Sequence, residues 1–92
     1  MEKILLEKEL IVNGNPVTEV ALDFDKVTGK ELVAAEKEVR EMGDTTPSVF
    51  LSMKYQAIVA AQMIGVKKED ILALPAKDFR NVVTPVAIFF LG

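Results

Sequence analysis

Carboxylates are the only groups in this chain with the chemical range of an active site, because its 92 residues include no histidine and no cysteine. That removes the commonest metal ligands, nucleophiles and proton shuttles. Three acids lie near one another in sequence: Glu69, Asp70 and Asp78. Converging, they could hold a divalent cation such as Mg²⁺ through oxygen. Their spacing favours a plainer role. Glu69 and Asp70 fall in the first turn of a short helix and Asp78 near the first turn of the next, where negative charge complements the helix dipole. Ser48 and Ser52 have no partner base, and Tyr55 is a lone phenol on an apolar segment. Gly14 and Gly29 belong to no GxGxxG or Walker pattern, so no phosphate-binding loop is expected. The expectation is a non-enzymatic protein without catalytic residues, metal or cofactor.

The elements around these residues are legible from periodicity. Residues 4–12 read as a strand, with Leu6, Leu10 and Val12 sharing a face with Lys8. Asn13-Gly14-Asn15-Pro16 is a turn cluster. Residues 17–24 alternate, with Val20, Leu22 and Phe24 on one face. A lone two-stranded hairpin is unstable in water, so helices or another subunit must cover it. Thr28-Gly29-Lys30-Glu31 is a capping box opening a helix to Met42, with Gly43 as its C-cap. The stripe Leu32, Ala35, Val39, Met42 predicts burial on one side only. Thr46 and Pro47 are placed as N-cap and first residue of a second helix. That helix is apolar nearly all round from 48 to 64 and ends at Gly65. A short turn, Lys67 to Ala73, leads to Leu74-Pro75. Pro75 opens a last helix with the stripe Phe79, Val82, Val83, Val86, Phe90, which Pro85 should kink or interrupt. The order is ββααα, an α+β domain spanning 1–92.

Charge is unevenly spread along this order. Residues 1–43 carry ten acids and six bases, and residues 44–92 only four acids and five bases. Lys54 is the one charge between Ser48 and Gly65, and Val82 to Gly92 has none. A domain this small does not need so much apolar surface for itself, so the excess points to binding other chains or copies of itself. The net charge of −3 argues against nucleic acid as a partner, because phosphate neutralisation needs clustered Lys and Arg. No run approaches the roughly 20 apolar residues that span a bilayer, so no membrane association is expected. Without cysteine or a signal-peptide pattern at the N-terminus, the expected location is cytoplasmic.

Among the apolar residues, Met42 and Phe90 lie on core stripes, while Met53 and Met63 suit either core or an adaptable surface. Ile88 and Phe89 point away from the last stripe and are expected to be exposed in the monomer. The candidate client or oligomer interface is Phe50, Met53, Tyr55, Met63, Val86, Ile88, Phe89 and Leu91.

Three short patterns follow one another along the chain. They are the hairpin Gly14-x-Pro16-Val17-x-x-Val20, the helix start Thr28-Gly29-x-x-Leu32, and the step Leu74-Pro75-x-x-Asp78-Phe79 into an apolar end. With the small-residue helix ending in Gly65, this order resembles the small tail assembly chaperones of long-tailed bacteriophages, in particular the Mu-like group found also in prophages. The resemblance covers nearly the whole chain. It implies a non-enzymatic protein that keeps the long helical tape measure protein soluble until tail tube subunits polymerise around it, and that is absent from the finished virion. Many such proteins exist in a short form and a frameshifted longer form, and this chain would be the short one. The resemblance also implies the tape measure protein, and with it the tail tube protein, as partners, alongside homo-oligomerisation. A competing reading is a homodimeric regulatory module of antitoxin type, whose apolar surface is a dimer interface of fixed stoichiometry.

Overall fold

A computed structural model describes residues 1–92. It shows a two-stranded antiparallel hairpin followed by four helices. The strands are β1 (Glu2–Val12) and β2 (Asn15–Leu22). The helices are α1 (Gly29–Glu41), α2 (Met53–Ile64), α3 (Lys68–Leu72) and α4 (Ala76–Leu91). The fold class is α+β, with the short segment before Pro75 forming a helix of its own.

The hairpin closes through Asn13 and Gly14, both at positive φ (52° and 79°). This is the turn whose twist matches that of the strands. Val20 and Leu22 face inward as the alternation predicts, but β2 stops at Leu22. The Asp23 carboxylate accepts the Asp25 N–H and bends the chain into a 3-10 turn over Phe24–Lys26. An Asp side chain that satisfies a backbone donor two residues on offers the chain an alternative to the ladder.

β1 is not regular. Leu5 pairs with Glu19 and Leu10 with Val17, so four residues of β1, Leu6 to Glu9, stand opposite Thr18 alone. The bulge carries the polar stretch Glu7-Lys8-Glu9 outward and keeps Ile4, Leu6 and Leu10 on the buried face.

α1 begins as predicted at Thr28, with a small change in chemistry. The Glu31 carboxylate accepts both the Thr28 N–H (2.8 Å) and the Thr28 hydroxyl (2.9 Å). Ala35 and Val39 of its stripe are fully buried, and Leu32 and Met42 are half-buried.

The start of α2 differs from the sequence expectation. Thr46 is not its N-cap and Pro47 is not helical. The Asp44 carboxylate accepts the Thr46 N–H and hydroxyl together with the Ser52 hydroxyl. Arg40 meanwhile donates to the carbonyls of Asp44 and Thr46. Thr46 is thus occupied locally, and Val49–Leu51 turns as a short 3-10 segment. Ser52 becomes the cap, its hydroxyl oxygen accepting from the Tyr55 N–H at 3.3 Å.

α2 is the central strut of the fold. It packs against α1, α3, α4 and β2. Tyr55 to Ala61 are buried without a gap, and Met63 with them. It ends at Gly65, with φ 89° and its N–H bonded to the Ala61 carbonyl at 2.8 Å. The Cβ of an alanine there would meet nothing within 4 Å, so only backbone strain opposes it. We expect Gly65→Ala to cost about 1 kcal/mol, measurable as a lower urea midpoint at unchanged slope.

Pro85 does not interrupt α4, which runs unbroken from Ala76 to Leu91. The proline removes one N–H, so the carbonyl a turn earlier lacks a helical donor. Val82, Val83 and Val86 are buried on either side of it and hold the two halves against the core. One cluster of nineteen buried residues joins the inner face of the hairpin to all four helices.

Candidate functional site

The three acids singled out in the sequence do not converge, and no three or more His, Cys, Asp or Glu side chains come together as a metal site. Glu69 pairs with Lys68 at 3.0 Å, and Asp70 accepts the Lys67 N–H at 3.2 Å. Asp78 is not a solvated dipole partner. It is only 1% exposed, and its two carboxylate oxygens accept the N–H groups of Glu7 (2.9 Å) and Lys8 (3.0 Å). These amides are turned outward by the β1 bulge, and Asp78 is what satisfies them. The polar stretch in β1 hinted at an irregularity, but only the approach of α4 identifies its partner.

Several carboxyls are held below their ordinary range. Hydrogen bonds from Ser52 and Thr46 do this for Asp44, and the Glu7 and Lys8 amides do it for Asp78. Thr28 lowers Glu31, and Lys68 lowers Glu69. Each is depressed in the folded state relative to the unfolded one. The folded chain therefore binds fewer protons, and its stability is full above the unfolded carboxyl range near pH 4. It is lost as pH falls through the folded values. Denaturant melts at pH 7 and pH 3 should show a lower midpoint at pH 3.

The other candidates are the apolar residues. Three of the eight interface candidates are core. Tyr55 (4% exposed), Met63 (2%) and Val86 (0%) are buried and can offer nothing to a partner without unfolding. α2 is enclosed on every side along most of its length, which consumes Met63. Tyr55 packs inward and donates its hydroxyl to the Leu32 carbonyl. Phe50 is half-buried. The other four are open: Met53 (63%), Ile88 (60%), Phe89 (50%) and Leu91 (67%). Leu51, 53% exposed in the short 3-10 segment before α2, joins them.

A row of aromatic rings links these residues. Phe24 stacks on Phe89 with centroids 4.2 Å apart, and Phe89 meets Phe90 edge to face at 5.3 Å. Phe90 in turn contacts Phe50 and Tyr55 at 5.9 and 5.6 Å. The row runs from the end of β2, across the end of α4, to the entrance of α2. Stacked, tilted and edge-to-face ring pairs of this kind add to simple burial.

No family model, curated protein or solved structure matches the chain. What can be said of the surface follows from its own chemistry. Five large apolar side chains at one end of the molecule, each half to two-thirds exposed, present on the order of 500 Å² of apolar area. No helix is long and apolar enough to cross a membrane.

Proposed function

We propose that this protein is a non-enzymatic tail assembly chaperone of a long-tailed phage or prophage. It acts in the bacterial cytoplasm, holds the tape measure protein soluble through apolar helical contacts, and leaves before the virion is complete. The observation that carries this reading is the exposed apolar end formed by Leu51, Met53, Ile88, Phe89 and Leu91. A holdase needs apolar surface that opens and closes reversibly on a charged scaffold. Here the aromatic row fixes the floor of the surface, while Met53 and Leu51 on the α2 entrance supply adaptable side chains. The charged residues of β1, β2 and α1 surround isolated exposed apolar side chains such as Leu5, Ile11 and Val33. The order of short patterns along the chain, from the Gly14 hairpin to the Leu74-Pro75 step, supplies the link to tail assembly.

The test is the DNA flanking this reading frame. The reading expects a slippery run near the end of the frame, an overlapping second frame, and beyond it a very long frame encoding a helical protein. That product is the client to co-express and purify with this chain. Flanking genes without any long helical product would sink the reading and favour the dimeric regulatory module.

A further inference from the structure

Away from the apolar end, a groove of about 560 Å³ runs between Glu2–Leu5 of β1 and the stretch of α4 from Arg80 to Pro85. β1 is an edge of the two-stranded sheet. In an antiparallel pair, alternate residues turn both backbone groups away from the partner strand. Along Glu2–Leu5 no hydrogen bond from α4 or any other element takes up those groups. Farther along the same strand the edge is closed, because Asp78 binds the Glu7 and Lys8 amides. The open stretch is therefore bounded, with a helix as its far wall. Edge strands left open in this way are templates for another chain.

We propose that this groove docks an extended, acidic protein segment that adds to β1 as a third strand. Backbone pairing to an exposed strand supplies affinity, and alternate side chains supply selectivity. The selectivity here is for negative charge. Lys3 and Arg80 both line the groove, and neither belongs to any of the protein's ion pairs. Glu2 is the one acid among the residues that line the groove, and Glu19 pairs with Leu5 on the neighbouring strand. Leu5, 72% exposed, stands in the same wall and favours an apolar side chain between the acidic ones. The proposal is independent of the chaperone reading, since it uses neither the apolar end nor its client.

The test is a titration of ¹⁵N-labelled protein with two capped synthetic peptides, Glu-Val-Glu-Leu-Glu-Val and Lys-Val-Lys-Leu-Lys-Val. The acidic peptide should give saturable shifts centred on the amides of residues 2–5 and 80–84, and the basic one none. Binding should weaken as salt rises from about 50 to 300 mM. Arg80→Glu, an exposed change outside the core, should leave the thermal melt unaltered and weaken binding about tenfold. Shifts that appear elsewhere, equal binding of both peptides, no saturable binding, or an Arg80→Glu variant that binds as well as the parent would each overturn the proposal. So would the same shifts appearing with protein concentration alone, which would give the groove to a second copy.

Discussion

Asp78→Ala should lower the melting temperature by on the order of 10 °C, the largest loss we expect from any single polar side chain in this protein. The carboxylate makes two charge-assisted bonds to backbone amides of the β1 bulge. Hydrogen bonds to charged groups are stronger than neutral ones, and removing the acceptor leaves both donors without a partner. Asp78→Asn should fall between the two, because one carbonyl oxygen remains to accept. The pH response separates this account from simple loss of packing. In the parent protein the depressed Asp78 carboxyl contributes stability above about pH 4 that disappears as acid protonates it. In the alanine variant that contribution is missing at every pH. The difference between parent and variant should therefore shrink from pH 7 toward pH 3. A constant difference across that range would show that Asp78 acts through its volume rather than its charge.

Ile88→Asp should leave the fold intact and abolish binding of the proposed client. Ile88 is 60% exposed and faces away from the buried stripe of α4. A charge there costs little in the free protein. Placed in the centre of an apolar contact it must be desolvated, and central contacts of this kind are worth about thirtyfold or more in affinity. The measurement is co-purification and calorimetric titration with the long helical protein that the proposed function expects from a downstream frame, beside a circular dichroism melt. Val86→Asp is the contrasting control. Only two residues away but fully buried, it should unfold the domain, because an unpaired charge in that core has no solvation. Unchanged client binding by a folded Ile88→Asp protein would remove the apolar end from the client surface. Phe89→Glu is a less clean probe, since it also breaks the stack on Phe24.

How far the sequence determined this protein depends on the range of the interaction concerned. Local chemistry was readable. Asn13-Gly14 closes the hairpin, Glu31 binds back to Thr28, and Gly65 ends α2 at positive φ, because each involves groups within a turn of one another. Periodicity was equally direct where an element buries one face, as in α1 and in β2 as far as Leu22. It failed for α2. A helix apolar all round carries no mark of which residues its neighbours will cover, so Met53 and Met63 looked alike until α1, α3, α4 and β2 enclosed one and left the other. Its start was misplaced for a related reason. Thr46-Pro47 has the composition of a helix entrance, but Asp44, Arg40 and Ser52 engage it in a competing network. Asp78 is the clearest limit. At the first turn of α4 it looks like one of many solvated acids. Its role is decided by Glu7 and Lys8, some seventy residues earlier, which only the packing of α4 beside β1 brings within 3.0 Å.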